Sequence, residues 1–307
     1  MLPKFTFYVQ AGKEIGLGHL IRSNNIIQHL IQENFDITMM MEPDDFIAPI
    51  LSELGTKLCR VKQGSGPLII DAINFSNISD DIILSYYPRI LISPVFDKFE
   101  LITHFITRNL EPHLANDIPS NVKTEIDPLL SFTTVKDLIK KKLDFKEIDL
   151  GICISGSNDY VNLEKLLRVI ARIDNVKSIK MIGQGLKADF QVDDIDFKFS
   201  NFEKTPWKYF QNINVFIGGE GIMLSEALYQ NIPAISMCRK KFKGKNKNLI
   251  SIGLLTIIDL SQRWENSLLL VLGNKELLEG QYKKLMKLKI PNSTPLMIKK
   301  IKKIIFN

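Results

Sequence analysis

Short apolar runs rich in β-branched or aromatic residues alternate along the chain with longer segments of helical period. The first half contains, in order, the runs FTFYV, HLIRSNNIIQHLIQ, DITMMM, FIAPILSELG and PLIID. Alternation of this kind is typical of βαβ units around a parallel sheet. The strand pattern fades between Asn116 and Lys146, where Pro119, Pro128 and three consecutive lysines occur, and we interpret this segment as a linker.

The same alternation begins again after the linker. Its runs are LGICIS, VNLEKLLRVIARI, SIKMIG, DFKF, NVFIGG, MLSEALYQ, PAISM and LLTIIDL. Each half starts with a strand that leads into a turn rich in Gly or Ser, which is typical of nucleotide-binding α/β units. The sequence therefore predicts an α/β protein with two Rossmann-like domains, residues 1–145 and 146–290, facing one another across a cleft.

The last segment, residues 291–307, predicts a basic amphipathic helix. Its isoleucines fall on one helical stripe and its lysines elsewhere. The stripe comprises Ile298, Ile301, Ile304 and Ile305, and the lysines are Lys299, Lys300, Lys302 and Lys303. The pattern suits a helix that packs back onto the protein body, and it also suits peripheral contact with an anionic membrane surface.

Composition narrows the range of partners. The 307 residues include 40 Lys and Arg against 34 Asp and Glu, a net charge of +6, with 45% hydrophobic and 24% charged residues. This is the profile of a soluble globular protein with length for about two domains. No basic stretch is interleaved with aromatic residues, so nucleic acid is disfavoured as a partner, whereas phosphorylated small molecules fit the modest excess.

The cysteines and the N-terminal sequence indicate a reducing compartment. Cys59, Cys153 and Cys238 are odd in number and far apart, which excludes a disulfide framework and a Cys-x-x-Cys motif. We find neither the features of a signal peptide nor an apolar run of about 18 residues, the length needed to span a membrane. We therefore expect a cytoplasmic location.

The turn Gly16-Leu17-Gly18-His19 follows the first strand and opens the first helix. Its glycines allow close approach of a ligand, and the start of the helix offers N–H groups to an anion. It matches neither the G-x-G-x-x-G dinucleotide motif nor a P-loop. The positive end of the helix dipole favours a neutral His19, the form required of a general base, although a polar capping histidine would look the same.

A second glycine-rich turn contains Gly218, Gly219 and Gly221, and Glu226 follows on the next predicted helix. Such a turn can cradle a diphosphate, and a carboxylate one to two turns along the helix can accept the hydroxyls of a ribose. Ordinary turn chemistry with a solvated glutamate is the alternative.

Three further features are candidates for the same chemistry. Gly156 and Ser157 lie in a loop that suits phosphate oxygens but also suits helix capping. Lysines alternate from Lys241 to Lys247 and could offset the charge of a leaving group, although a solvated loop explains them equally well. Asp71 ends the strand PLIID, and acidic side chains at the carboxyl ends of parallel strands face the ligand side of the sheet.

Three motifs together resemble one family. They are I-G-x-G-H-x-x-R-S, I-S-G-S-N-D-Y-x-N-L-x-K-L-L and G-G-x-G-I-x-x-x-E-A-L-x-x-x-I-P, and they span most of the chain, from about Phe5 to Leu260. In this order they resemble the nucleotide-sugar hydrolases of pseudaminic acid synthesis, which release UDP from UDP-2,4-diacetamido-2,4,6-trideoxy-β-L-altropyranose, and related spore-coat polysaccharide proteins. The resemblance implies the GT-B fold, shared with the muramoyl-lipid N-acetylglucosaminyltransferases.

The resemblance also implies roles for residues of the first domain. His19 matches the catalytic histidine that activates water for attack on the anomeric carbon. Gly16 and Gly18 match the loop that approaches the sugar diphosphate. We add Asp71 to the catalytic group and Arg22 to the substrate-binding group, which makes the first domain the sugar or acceptor side.

In the second domain the resemblance implies a UDP site. Gly221, Ile222 and Glu226 match the uridine and ribose site, and we place Gly219 of the same turn with them. The phosphates would face Gly156 and Ser157. Asn248 stands where the family carries an Asn-Gln pair. Lysines and helix N-termini can neutralise the diphosphate, so the sequence predicts neither a metal nor another cofactor.

This sequence departs from the family pattern on the sugar side. Val9-Gln10-Ala11-Gly12 replaces an Arg-Ala-Asp-Ala-Ser-like strand end, Ile92-Ser93-Pro94 replaces Ile-Asp-Asp, and Met223 replaces the usual Thr. A different sugar, or an acceptor other than water, is therefore compatible with the sequence.

Three functions remain open at the level of sequence. The first is a UDP-sugar hydrolase in surface polysaccharide or nonulosonic acid synthesis. The second is a GT-B glycosyltransferase that moves the sugar to a glycan or lipid acceptor. The third is a protein that binds a nucleotide sugar without turnover.

Overall fold

The chain folds into two compact units, Met1–Leu130 with Ser293–Asn307 and Ser131–Asn292. Each is built around its own parallel sheet. The structure is a computed structural model, and it describes residues 3–12, 15–42, 45, 47–52, 54–93, 98–107, 117–127, 142–154, 162–183, 195–200, 206–219, 221–238, 247–260 and 262–306.

The first unit contains a sheet of seven strands. They are β1 Lys4–Val9, β2 Asp36–Met40, β3 Leu58–Cys59, β4 Leu68–Asp71, β5 Arg89–Leu91, β6 His104–Thr107 and β7 Lys123–Ile126. Their order is β3-β2-β1-β4-β5-β6-β7, and the described pairs are parallel. The sheet is buried on both faces, which explains why its central strands are almost continuously apolar in sequence.

Helices of very different length connect these strands. The described ones are α1 Gly18–Gln32, α2 Ala48–Leu51, α3 Asp80–Leu84 and a 3₁₀ turn at Phe99–Leu101. Helix α1 packs on the sheet and has the three- and four-residue spacing of an amphipathic helix, with buried residues Leu20, Ser23, Ile26, Ile27 and Leu30. Its position after β1 agrees with the sequence prediction.

The second unit contains a sheet of six strands. They are β8 Ile148–Cys153, β9 Val176–Ile182, β10 Asp196–Ser200, β11 Val215–Gly218, β12 Ala234–Cys238 and β13 Leu255–Asp259. Their order is β10-β9-β8-β11-β12-β13, again with parallel pairs. The described helices are α4 Leu163–Ile170, α5 Pro206–Phe210, α6 Ile222–Tyr229, α7 Lys247–Ser251, α8 Trp264–Leu272 and α9 Lys275–Leu288.

Both sheets reverse their direction of winding at the same place. In the first unit the reversal lies between β1 and β4, and in the second unit between β8 and β11. Crossovers leave such neighbouring strands toward opposite faces, which opens a crevice at their carboxyl ends where ligands bind in open α/β sheets. The topology therefore marks one candidate site in each unit.

The division between the units differs from the predicted one. Leu143 and Phe145 are buried in the core of the second unit beside Ile148, so the predicted boundary at residue 145 falls inside that unit. Strand β7 also lies within the predicted linker. It is an edge strand that alternates in burial and pairs through its backbone with β6, and such pairing needs no apolar run that a sequence pattern would detect.

The last helix, α10 Thr294–Phe306, belongs to the first unit. It packs against α1 and buries Met297, Ile298 and Ile301. Two of its lysines pair with glutamates of this unit, Lys300 with Glu125 and Lys302 with Glu33, each at 2.6 Å. Its apolar stripe thus covers the protein body. No described helix combines the length and the apolar character that a membrane span requires.

Truncation of this stripe should destabilise the first unit. Ile301 is fully buried, so Ile301→Ala should lower the free energy of unfolding by about 2–5 kcal/mol. Lys299→Ala, at an exposed position of the same helix, should change it by less than about 0.5 kcal/mol. Urea unfolding followed by circular dichroism measures both, and an unchanged unfolding midpoint in Ile301→Ala would show that the helix does not support the fold.

Candidate active site

A tight loop leads from β1 to the start of α1. The backbone N–H of Gly16 donates to the carbonyl of Gly12 at 2.7 Å, and Gly16 adopts a φ of +86°, which favours glycine. Gly18 begins the helix, and a Cβ there would meet no other atom within 4 Å. The N-cap residue Leu17 makes no side-chain hydrogen bond to the helix. Such a helix start attracts negatively charged groups.

One face of the first turns of α1 is directed at the end of β4. His19, Arg22 and Ser23 are three and four residues apart, so they share a face of the helix, and all three contact Asp71. His19 Nδ1 lies 2.5 Å from Asp71 Oδ1. Arg22 Nε and Ser23 Oγ each donate to Asp71 Oδ2 at 2.9 Å, and Arg22 Nη2 also donates to Oδ1.

Asp71 is an ionised carboxylate inside the protein. Its side chain is fully buried, and burial alone would raise its pKa. The positive charge of Arg22, the His19 ring and the hydrogen bonds from both outweigh burial, so the pKa of Asp71 lies well below its usual range. An ionised carboxylate only accepts hydrogen bonds, and this determines the roles of its partners.

The charge of Asp71 selects the tautomer of His19. Nδ1 must carry the hydrogen that it donates to Asp71, which leaves Nε2 of a neutral ring as a hydrogen-bond acceptor. The His19 side chain is 18% exposed, whereas Asp71 is not exposed at all. A buried carboxylate that orients a partly exposed imidazole is the arrangement of a general base.

Arg22 has a different environment from the one that the sequence suggests. The sequence predicts it as a substrate ligand, but its guanidinium contacts Asp71 with two nitrogens, and its side chain is 16% exposed. Arg22 Nη2 also lies 3.2 Å from His19 Nδ1, a close approach of two donors rather than a hydrogen bond. Substrate contact by Arg22 stays a prediction.

In the second unit the glycine-rich turn follows β11. A Cβ at Gly218 would lie 3.1 Å from the backbone oxygen of Cys153 and against the ring of Phe216, so this glycine is required by packing. Gly219 is buried, and the half-buried Gly221 precedes the first residue of α6, Ile222, also half-buried. This turn lies at the reversal point of the second sheet.

Glu226 lies on α6 and is 1% exposed. Burial first, and then the charge of Glu226, raises the pKa of Cys153, at the end of β8, to about 12. Glu226 is therefore close to Cys153, with its side chain inside the unit. Its contact with a ribose stays a prediction.

The remaining predicted site residues are placed only in part. Gly156, Ser157 and the lysines from 241 to 245 lie outside the described residues. Asn248 is half-buried near the start of α7, where its carbonyl accepts a hydrogen bond from Ser251 Oγ at 2.9 Å. Lys247 is exposed.

The described residues contain no cluster of three or more His, Cys, Asp or Glu side chains arranged to hold a metal. One Asp-x-Asp triplet occurs in the sequence, Asp194-Ile195-Asp196. Asp194 lies outside the described part of the chain, and Asp196 pairs with Lys198 at 3.0 Å.

Sequence comparison with protein-family models and with curated proteins yields no match. Comparison of structures yields many. MurG from Acinetobacter baumannii superposes with a TM-score of 0.67 over 99% of this chain and 100% of its own, at 13% identity. The calicheamicin glycosyltransferase CalG4 gives a TM-score of 0.63 over 99% of this chain and 98% of its own, at 9% identity. The chain has the GT-B fold.

A third GT-B structure is of interest because of its ligand. The spinosyn rhamnosyltransferase SpnG, complexed with thymidine diphosphate, gives a TM-score of 0.59 at 12% identity, over 96% of this chain and 99% of its own. Identities this low establish the fold and not the reaction. The narrower resemblance to pseudaminic acid hydrolases has no support beyond the three short motifs.

Within this GT-B chain, sequence reasoning missed several residues around Asp71. Ser23 is fully buried and donates to the carboxylate, and its four-residue spacing from His19 could have indicated this. Gln10 and Ser93 follow β1 and β5, the two strands beside β4, and both bind the loop after Asp71. Like Asp71, they lie at the carboxyl ends of parallel strands, so the argument from sequence that selected Asp71 could have selected them as well.

The buried charge of Asp71 predicts a specific response to acid. Because its pKa is lower in the folded than in the unfolded chain, the unfolded chain binds more protons below about pH 4, and this stabilising contribution is lost as the pH falls further. Asp71→Asn should lower the free energy of unfolding by about 3–5 kcal/mol at pH 7, because Arg22 loses its charged partner. The decrease should be smaller at pH 2.5.

Urea unfolding of the wild type and Asp71→Asn at the two pH values measures this difference. Asp81→Asn, at an exposed position of the same unit, is the control and should cost little at either pH. A stability difference between wild type and Asp71→Asn that is equal at pH 7 and pH 2.5 would contradict an ionised Asp71.

Proposed function

We propose that this protein is a glycosyltransferase that moves a sugar from a nucleoside-diphosphate donor to a hydroxyl acceptor. The observation that carries this proposal is the contact of 2.5 Å between His19 Nδ1 and the buried Asp71 carboxylate. The GT-B fold supports it, because two of the similar structures are named as transferases: CalG4 is a calicheamicin glycosyltransferase, and SpnG is a spinosyn rhamnosyltransferase. We infer that the protein is an enzyme on the same grounds.

His19 would act as the general base through Nε2. The acceptor O–H gives its proton to Nε2 while its oxygen forms a bond to C1 of the sugar. The bond from C1 to the diphosphate oxygen breaks, and the nucleoside diphosphate leaves with the electron pair. Asp71 stays ionised throughout and stabilises the imidazolium that forms, and Arg22 and Ser23 hold its second oxygen.

We assign the nucleotide part of the donor to the second unit. Gly219, Gly221 and Ile222 lie in a strand-to-helix turn at the reversal point of its sheet, where the N-terminus of an eight-residue helix favours phosphate. The resemblance of the motif around Glu226 to the uridine and ribose site of the pseudaminic acid hydrolases favours UDP among the nucleotides. Gly16 and Gly18 of the first unit would approach the sugar. Lysines and helix N-termini would neutralise the diphosphate in place of a metal.

A glycan or lipid hydroxyl is the acceptor that we propose. The last helix buries Met297, Ile298 and Ile301, the central part of its apolar side, on the first unit. Lys299 and Lys303 are exposed on it, and Phe306 is 56% exposed. Peripheral contact with a membrane that carries a lipid acceptor would therefore be mainly electrostatic.

Hydrolysis of the donor is the second candidate function. The turn Gly16-Leu17-Gly18-His19, followed by Arg22 and Ser23, favours it through its resemblance to pseudaminic acid hydrolases. The same groups would act on water in place of an acceptor hydroxyl. Only the identity of the nucleophile separates the two reactions.

Removal of the base should remove most of the activity. His19→Ala should lower kcat by about 10²–10⁴-fold, the usual contribution of general base catalysis. His29→Ala is a matched control, because this half-buried histidine of the same helix donates from Nδ1 to the Asn25 carbonyl at 2.8 Å, and the variant should keep the wild-type rate. Release of nucleoside diphosphate measures both, and full activity in His19→Ala would contradict the assigned role.

Acceptor dependence should separate the candidate functions. With a panel of UDP and dTDP sugars, we expect release of the diphosphate to rise at least about tenfold when glycan or polyprenyl acceptors are added. Equal release without acceptor would assign hydrolysis. Binding of the nucleotide in calorimetry, with no product under any condition, would reject both reactions in favour of a binding protein.

A further inference from the structure

The strands on both sides of β4 send a side chain to the backbone just beyond Asp71. Strand β4 pairs with β1 on one side and β5 on the other, and its last paired residues are Asp71 and Ile70 respectively. Regular pairing ends here, while the chain must still present a buried carboxylate to α1. The position of Asp71 therefore depends on what holds residues 72–74.

Ser93 holds this segment from the side of β5. Its Oγ accepts a hydrogen bond from the N–H of Ala72 at 2.9 Å and donates to the carbonyl of the same residue at 2.7 Å. Ser93 is 1% exposed. One hydroxyl thus satisfies both backbone groups of the residue after Asp71 and extends the ladder by a side chain.

Gln10 holds the segment from the side of β1. Its backbone N–H donates to the carbonyl of Asp71 at 3.1 Å. Its side-chain oxygen accepts from the N–H groups of Ile73 and Asn74 at 2.9 and 3.3 Å, and its amide nitrogen donates to Asn74 Oδ1 at 3.0 Å. All the bonding capacity of the Gln10 oxygen is used on this loop.

We propose that Ser93 and Gln10 are positioning residues that fix the Asp71 carboxylate against His19. The contact between Asp71 and His19 is short, and catalytic groups must be held within about 0.5 Å of their working geometry. Two anchors on opposite sides of Asp71 prevent the end of β4 from moving within the sheet. The effect on catalysis rests on the proposed role of His19, whereas the effect on the Asp71–His19 hydrogen bond does not.

The chain contains a matched control for Ser93. Thr103 makes the same pair of bonds with Arg89, at the other end of β5: its Oγ1 accepts from the Arg89 N–H and donates to the Arg89 carbonyl, both at 2.9 Å. Thr103→Val removes both hydrogen bonds to Arg89 at the start of β5. Ser93→Ala removes an equivalent pair of hydrogen bonds to Ala72, the residue that follows Asp71.

The test is proton NMR of ¹⁵N-histidine-labelled protein. The chain has four histidines, and the Nδ1–H signal of His19 is assigned by its loss in His19→Gln. A hydrogen bond to the Asp71 carboxylate shifts this proton downfield. We expect the signal to move upfield or to broaden away in Ser93→Ala and Gln10→Met, to stay in place in Thr103→Val, and to return in Ser93→Thr.

Kinetics provide a second measurement. If the proposed reaction is found, Ser93→Ala should lower kcat by about tenfold and change KM by less than about twofold, because small misplacements of catalytic groups act on the chemical step. If the wild type is inactive with every donor, the proposed function fails, and the NMR result alone decides the positioning role.

An unchanged His19 signal in both Ser93→Ala and Gln10→Met would overturn the proposal. An equal loss of the signal in Thr103→Val would overturn it as well, because the effect would then be a general loosening of the sheet. If Ser93→Ala does not fold, Gln10→Met with the Thr103→Val control decides the question by the same two criteria.

Discussion

The buried negative charge of Asp71 organises the first unit. Placing the Asp71 carboxylate in the interior costs several kcal/mol unless it is paired and hydrogen-bonded. The first turns of α1 satisfy this requirement with His19, Arg22 and Ser23, which fixes the rotation of the helix about its axis as well as its distance from β4. The glycine loop before α1 must then be tight enough to deliver the helix to that position, which explains the positive φ of Gly16.

The two units share a topology and differ in what they place at its reversal point. In the first unit the ends of β1 and β4 lead to an ionised carboxylate and an imidazole. In the second unit Cys153 and Gly218 pair at the corresponding ends of β8 and β11, followed by a glycine turn and a helix start. Proton transfer requires a titratable group of fixed orientation, whereas binding of a phosphate requires backbone N–H groups. This difference is the physical basis for proposing the base in the first unit and the nucleotide site in the second.

Much of this arrangement could be predicted from sequence because it depends on local patterns. The apolar run before Asp71 and the glycines before His19 identify a strand end and a helix start, and βαβ winding brings such ends to one edge of a sheet. The partners of Arg22 could not be predicted, since its choice between Asp71 and a ligand depends on distances across 49 residues of chain. Strand β7 depends on backbone pairing with β6, which leaves no apolar pattern in the sequence. Periodicity shows that the last helix has an apolar side, but it does not show which unit that side packs on.

The charge balance around His19 bears on the kind of reaction that the site can support. A histidine and a carboxylate alone change from a net charge of −1 to 0 when the base takes up a proton. Here Arg22 already offsets Asp71, so the same step takes the group from 0 to +1. In the proposed reaction the site would therefore become cationic as the anionic leaving group is produced. Because charges developed in the transition state are stabilised best by complementary charges, this balance suits displacement of a diphosphate better than a reaction with a neutral leaving group.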